Sequence, residues 1–153
     1  MNALAPKLRE YVAIEKPRFI RIGADGRPVD RDDEPHVAVY DVRRDLTWSR
    51  ANVGSERLNW KDADAACRSL NLAGHQDWRL PTIQELLSIV DYERKEPAID
   101  TALFDCEPSW YWTSTPAAAS PAAHAWIVNF YDGNSDWLNR DYGYYVRAVR
   151  PGQ

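Results

Sequence analysis

The strongest structural signal in the chain lies in Asp77-Trp78-Arg79-Leu80-Pro81-Thr82-Ile83-Gln84-Glu85-Leu86. Thr82 and Glu85 have the spacing of a capping box, in which the threonine hydroxyl accepts from the third helical amide and the glutamate reaches back to the threonine amide. Apolar residues then recur at positions 83, 86, 87 and 90, and such a stripe is typical of one buried helix face. The sequence therefore predicts a helix that begins after Pro81.

A second helix is predicted just before this motif. Asn59 is a good N-cap, and Trp60–Asn71 follows with apolar side chains on one helical face: Trp60, Ala63, Cys67 and Leu70. Gly74 is a plausible end for this helix, because glycine readily adopts the left-handed conformation just past a helix C-terminus.

Strands are predicted on both sides of the two helices. Upstream, Val37–Tyr40 and Leu46–Trp48 have the composition of a hairpin. Downstream, aromatic, valine and threonine residues indicate three more strands. These are Tyr111–Thr115, Ala125–Tyr131 and Tyr144–Arg150, with Asp132–Gly143 as a long polar loop. Hairpins, then two helices, then strands predict the α+β class.

Residues before the hairpin are predicted to form an accessory segment. Lys7–Glu15 has the composition of a short helix, and Arg18–Ile22 has that of a strand. Gly23–Gly26 is a turn signal, so we expect Arg27–Val29 to return as the second arm of a hairpin.

Composition and charge exclude several classes of protein. The 153 residues fit one domain, or one domain with a short extension, and carry a net charge of −4. A mildly acidic chain is not built for nonspecific binding to nucleic acid phosphates. No apolar run approaches the about 18–20 residues that span a bilayer, and the first residues lack the apolar segment of a secretory signal. We therefore expect no nucleic acid partner, no membrane span, and a cytoplasmic or virion-associated location.

Several motifs occur together in an order that resembles a known family. They are Asp45–Arg50, Asp77–Thr82, Tyr111–Thr115 and Tyr145–Arg150. Over about residues 39–150 the chain resembles the DUF1566 family, also called the Lcl C-terminal domain. The resemblance implies a C-type-lectin-like fold, with two helices flanking a small twisted antiparallel sheet, related to the formylglycine-generating enzymes. It divides the chain into an N-terminal extension, residues 1–38, and the family-like domain, residues 39–153.

The resemblance also implies where a ligand would bind. Members occur in adhesins, in phage and prophage proteins, and in variable proteins of diversity-generating retroelements, where the stretch before the last strand carries the ligand-binding residues. Here that stretch is Asn129–Tyr144, and its Tyr, Trp and Asn content is typical of a binding surface. The candidate ligand-binding residues are Asn129, Tyr131, Asn134, Asp136, Trp137, Asn139, Asp141, Tyr142 and Tyr144. The alternative is that several of these aromatic residues face inward from strands.

Metal and cofactor chemistry find little support. Asp132, Asn134 and Asp136 have the spacing of the start of a calcium loop, but Trp137 stands where that loop needs glycine, and Gly143 where it needs glutamate. A polar turn is the better interpretation. The only cysteines, Cys67 and Cys106, are expected to be two buried thiols rather than a disulfide. We expect no metal and no cofactor.

No catalytic signature is found either. The related oxidases use a late cysteine pair, and the position that can carry such a cysteine holds Ala148 here. Cys67 with His75 could suggest a nucleophile and base, but Cys67 falls on the apolar helix face, so an inert buried thiol is expected. The sequence predicts a non-enzymatic recognition module, phage or prophage encoded, that binds a protein or glycan. The alternatives are an intracellular phage effector that inhibits a host protein, and an enzyme with an unrecognised site; a homo-oligomer stays open.

Tryptophan and arginine are predicted to be mostly structural. Five of the seven tryptophans fall on motif positions and are expected in the core: Trp48, Trp60, Trp78, Trp112 and Trp126. Arg79, Arg147 and Arg150 are expected to hold the fold through the several donors of their side chains.

Overall fold

The computed structural model describes residues 17–31 and 33–153. It has the predicted α+β composition, with two helices and two antiparallel sheets. In chain order the elements are β1 (Phe19–Ile22), β2 (Ala38–Asp41), β3 (Leu46–Ser49), α1 (Trp60–Arg68), α2 (Ile83–Leu87), β4 (Trp110–Pro116), β5 (His124–Asn129), β6 (Ser135–Asn139) and β7 (Val149–Pro151). The helix predicted over Lys7–Glu15 lies outside the described residues. No helix in the described ranges is long and apolar enough to cross a membrane.

The first sheet has the strand order β1-β2-β3-β7. The predicted hairpin of β2 and β3 is confirmed, with Val39 paired to Trp48. β1 pairs with β2, so a strand from the predicted N-terminal extension belongs to the same sheet as the family-like domain. Residues 27–29 do fold back on β1, but only through an isolated bridge between Ile22 and Pro28. The domain division at residues 38 and 39 stays a prediction.

The second sheet has the order β4-β5-β6, and it corrects two predictions. The resemblance implied one small sheet, whereas the described residues form two. The stretch Asp132–Gly143 was predicted as a loop, but its middle forms β6, which pairs with β5 over five residues, with Trp126 opposite Trp137. The polar sequence Ser-Asp-Trp-Leu-Asn becomes a strand because β5 offers it backbone partners.

Both helices begin where the sequence predicts. The Asn59 side chain accepts the amide hydrogen bond of Asp62 at 2.8 Å, and both hydrogen bonds of the Thr82–Glu85 capping box are present. The predicted end of the first helix is wrong: α1 ends at Arg68, not Asn71. Ser69, not Gly74, is its C-cap. Gly74 instead lies in the next tight turn, in which Leu72 and His75 pair with each other.

The last predicted strand, Tyr144–Arg150, is also corrected. Only Val149–Pro151 is a strand of the first sheet, because the preceding residues bond to several different parts of the chain. The Tyr145 carbonyl accepts the Trp112 amide at 3.0 Å, and the Val146 carbonyl accepts the Val53 amide at 2.8 Å. Residues 145–151, the closing segment, therefore join the second sheet to the first.

The second sheet is packed on both faces, with a different helix on each. On one face, Trp112, Ala125 and Ile127 share a core with Ala63 and Cys67 of α1. On the other, a second core contains Tyr111, Val128 and Phe130 with Leu86 of α2. Trp48, Trp78 and Trp112 are buried as predicted, whereas Trp60 and Trp126 are only half-buried. Among the described residues, β6 is an edge strand of this sheet.

Candidate functional site

The nine predicted ligand-binding residues follow β6 from one end to the other. Residues 129–144, the β6 band, comprise the end of β5, the turn into β6, β6 itself, and the turn that leads to the closing segment. Tyr131, Trp137 and Tyr142 are 42%, 38% and 56% exposed. Three other candidate residues are half-buried: Asn129, Asn139 and Tyr144. The predicted surface is therefore a band along an edge strand, and not one compact cluster.

Strand geometry divides the band between two faces. Successive side chains of a strand point to opposite faces, so Trp137 and Asn139 lie on one face and Asp136 on the other. Trp137 lies directly opposite Trp126, and its ring meets the ring of His124 edge to face at 5.2 Å. This face therefore carries an aromatic surface made of one exposed and one half-buried tryptophan.

Tyr144 supports the inward-facing alternative. Its ring packs edge-on against Trp112 with the centroids 5.0 Å apart, and its backbone pairs with Leu58. Burial raises the pKa of the Tyr144 phenol, and the nearby Tyr142 and Asp136 raise it further. Tyr144 is therefore a structural member of the predicted set.

The polar residues at the start of the band hold its turns. Asp132 accepts hydrogen bonds from the amide of Asn134 at 3.0 Å and from its side-chain nitrogen at 2.9 Å. The Asn129 side chain accepts the Tyr131 amide at 2.9 Å. These contacts match the polar turn expected from the sequence. Within the described ranges, no three His, Cys, Asp or Glu residues are grouped so as to hold a metal ion.

Tyr92 contributes to the same surface and was missed from the sequence. It is 69% exposed, and its hydroxyl donates to the Gly133 carbonyl at 3.4 Å. A Cβ atom on Gly133 would lie 2.6 Å from the Tyr92 ring, so the glycine is what allows the ring to approach the turn. The sequence signal was weak, because Tyr92 is a single aromatic residue in a charged loop.

The surroundings of both cysteine side chains disfavour nucleophilic chemistry. Cys67 is fully buried and unpaired, and burial raises the pKa of its thiol to about 12. A thiol in that state is almost entirely protonated at neutral pH, which disfavours nucleophilic attack. Cys106 is also unpaired and half-buried, and burial raises its pKa as well.

The three motif arginines make structural contacts, as predicted, and Arg147 and Arg150 join segments that are far apart in the chain. Arg147 is fully buried and donates to the carbonyl oxygens of Ser49, Arg50 and Asp105 at 2.8, 2.5 and 2.5 Å. Arg150 pairs with Asp77 at 2.7 and 3.2 Å, and Arg79 with Glu85 at 2.8 Å through both nitrogens.

Comparison with known proteins gives one match. A sequence model described as the Lcl C-terminal domain matches residues 37–150, which is more than half of the chain. The matched region includes both sheets apart from β1 and the end of β7, and it includes the whole β6 band. No curated protein matches the sequence.

Proposed function

The chain belongs to the Lcl C-terminal domain family, and we propose that it is a non-enzymatic recognition module that binds a protein or glycan through the β6 band. The proposal takes its two sheets and two helices as a C-type-lectin-like framework. It includes a phage or prophage origin, which the family resemblance suggests, and we propose a cytoplasmic or virion-associated location with it.

One observation carries the proposal: large apolar side chains are left in solvent mainly at this band. Among the described residues, five such side chains are exposed, and three of them are Tyr131, Trp137 and Tyr142. A fourth, Tyr92, contacts Gly133 of the same band. Exposed apolar side chains that gather in one region are typical of an interaction surface.

The chemistry of these side chains suits recognition. Tyrosine and tryptophan offer a large amphipathic contact area with few rotatable bonds, so little conformational entropy is lost on binding. They stand on a rigid support, because Trp137 lies on a paired strand and the turn before it is held by Asn129 and Asp132. A binding surface on a rigid support keeps its geometry in the free state.

The test is a double variant, Trp137→Ala with Tyr142→Ala. The partner is first sought with the wild-type chain by affinity capture from host lysate and on a glycan array. We expect the double variant to lose about tenfold or more of the affinity for that partner, since exposed Trp and Tyr are common hot-spot residues. The matched control is Val42→Ala, which removes an exposed apolar side chain (39% exposed) between β2 and β3. Unchanged affinity in the double variant would refute the proposal.

A further inference from the structure

Within the described residues, β6 is an edge strand, and some of its backbone groups are not used by any strand. In the order β4-β5-β6 its single neighbour is β5. The Asn129 amide donates to the Asn134 carbonyl at 2.7 Å, and the Arg140 amide to the Ala123 carbonyl at 2.8 Å. In an antiparallel pair, bonded positions recur at every second residue. The backbones of residues 136 and 138 therefore point at β5, and those of residues 135, 137 and 139 point away from the sheet.

Two of these outward groups are already satisfied locally. The Trp137 amide donates to the Asp136 carboxylate at 2.7 Å, and the Asn139 carbonyl accepts the Tyr142 amide at 3.2 Å. Ser135 and the Trp137 carbonyl have no such backbone partner within the described ranges. Asp136 thus partly blocks an edge that is otherwise open to a further strand.

The charges near this edge are unbalanced. Asp136 and Asp141 are exposed, whereas Arg140, just after β6, and Arg57, beside Gly143, are held against aromatic rings of the chain itself. The Arg140 guanidinium lies 4.1 Å from the Trp60 ring centre and donates to the Pro121 carbonyl at 2.8 Å. Arg57 lies 5.4 Å from the ring centre of Tyr145. The edge therefore presents negative charge and aromatic surface together, which is complementary to a cation.

We propose that the β6 edge binds an extended peptide segment carrying lysine or arginine, which adds to the sheet as a fourth strand. A cationic side chain beside β6 pairs with the Asp136 carboxylate and draws it from the Trp137 amide. That amide is then free to donate to the incoming backbone. Charge and strand addition are thus coupled through one residue, and main-chain hydrogen bonds supply the affinity. The proposal rests on the proposed function and names the partner as a basic protein segment.

A second copy of the chain is a poorer occupant. Two β6 strands paired edge to edge would bring their Asp136 carboxylates near each other, and each would still occupy the Trp137 amide that the pairing needs. Like charges across a strand pair are destabilising. The net charge of −4 adds to the repulsion.

The experiment selects short random peptides displayed on phage against the full chain at low salt. We expect enrichment of strand-forming sequences with alternating lysine or arginine. The best peptide is then synthesised in three forms: unchanged, with its cations replaced by glutamate, and with alternate backbone amides methylated. Each change is expected to weaken binding about tenfold or more, because one removes the charge and the other the main-chain donors. Amide chemical shifts should change at residues 135–139.

Asp136→Asn keeps the size of the side chain and removes its charge, so it should lower the affinity for the basic peptide several-fold. The matched control is Asp25→Asn, an exposed aspartate that also accepts a backbone amide, that of Arg27 at 3.0 Å, in a turn next to β1. It should bind the peptide as the wild type does. Thermal melts of both variants report whether each has folded.

Several results would overturn the inference: no enrichment, enrichment without cations, equal binding of the methylated peptide, or shifts outside β6. Dimerisation of the free chain in analytical ultracentrifugation would point to a second copy instead. The two proposals fail separately. If the captured partner depends on Trp137 and Tyr142 but tolerates Asp136→Asn and high salt, strand addition by a basic segment is wrong and the recognition surface stands. If the peptide binds β6 while the Trp137→Ala, Tyr142→Ala double variant keeps its partner, the recognition surface is wrong and strand addition by a basic segment stands.

Discussion

The β6 band and the closing segment are neighbours in the chain, yet their environments are opposite. In the closing segment the side chains of residues 146–149 are fully buried, and their backbones bond to β3, to Arg79 and to the loop at Val53. In the band, most side chains reach solvent, and among the described strands β6 pairs only with β5. The segments also differ in composition, because the band is rich in Asn and Asp whereas the closing segment contains Val146, Ala148 and Val149. They differ further in the number of distant backbone partners, which is high only in the closing segment.

From this difference we expect the closing segment to support stability and the band to carry the proposed recognition. A substitution in the closing segment affects both sheets, because the segment joins them. A substitution on the exposed side of the band changes little except the surface. The four predictions below test that separation, beginning with the largest expected change in the free energy of unfolding and ending with a pair of variants at the boundary between the two segments.

Arg147→Met should cause the largest loss in the free energy of unfolding. Methionine fills much of the same space but donates no hydrogen bond, so the buried Ser49 carbonyl and the Asp105 carbonyl lose the Arg147 donor, and the Arg50 carbonyl keeps only the Asp105 amide. We expect a loss of about 3 kcal/mol or more, because each buried acceptor left unpaired costs roughly 1–3 kcal/mol. Urea denaturation measures it. Arg44→Met, at an exposed arginine, controls for the lost charge, and a loss no larger than that control would contradict the role given to Arg147.

Gly133→Ala tests an exception within the band, because Gly133 belongs to the band but is buried. Its φ of +89° is unfavourable for alanine, and the new Cβ would meet Tyr92 at 2.6 Å and Val90 at 2.8 Å. We expect a loss of about 2 kcal/mol from strain and displacement. Gly74→Ala is the matched control, because Gly74 has a φ of +78° with nothing within 4 Å. Equal losses of unfolding free energy in the two variants would show that the clash with Tyr92 adds nothing to the cost of the substitution.

Glu85→Gln tests the support behind the closing segment. Arg79 pairs with Val149 through both backbone groups at 2.9 Å, and Glu85 holds the Arg79 side chain. Burial disfavours the Glu85 carboxylate, but hydrogen bonds from Arg79 and Thr82 outweigh burial and lower its pKa. The carboxylate therefore stabilises the fold above the pKa of the unfolded state, about 4.3, and this contribution disappears as the pH falls through the lower folded-state pKa.

We expect Glu85→Gln to cost about 1 kcal/mol at pH 7, the usual size for a partly exposed charged hydrogen bond. The difference from the wild type should shrink as the pH falls from about 5 to about 3. Unfolding curves across that range measure it, with Glu34→Gln, at an exposed glutamate, as the control. A difference that persists undiminished at the lowest pH would argue against the carboxylate's role.

Tyr142→Ala and Tyr144→Ala compare the two segments where they meet. Tyr142 is 56% exposed, so its truncation should change stability by about 0.5 kcal/mol or less. Tyr144 packs on Trp112 and should cost about 2 kcal/mol through lost packing. Partner binding should show the opposite order, with the greater loss in Tyr142→Ala. Similar stability losses in both variants would mean that the boundary between the segments is misplaced.

Sequence patterns predicted those elements whose determinants are local. The N-cap at Asn59, the capping box at Thr82 and Glu85, and the β2–β3 hairpin are all present. Each depends on residues within a few positions of one another. The binding residues were chosen from the family resemblance, with composition in support. The structure exposes Tyr131, Trp137 and Tyr142, but it turns Tyr144 inward.

β6 and the closing segment were misjudged for the same physical reason. Asp and Asn are poor strand formers, so nothing within residues 135–139 indicates a strand; β5, from across a turn, supplies the hydrogen bonds. Val146 and Val149 look like one regular strand by alternation, yet their backbones bond to separate parts of the chain.

The sequence by itself therefore determined the family, the α+β class, the helix starts and the arginines that hold the fold, because these depend on motifs and short-range hydrogen bonds. Tertiary structure alone decided that β6 is an open edge, that Tyr92 joins the surface, and that the closing segment connects two sheets. Backbone groups must find hydrogen-bond partners wherever the fold places them, and partners far apart in the chain leave no local trace in the sequence.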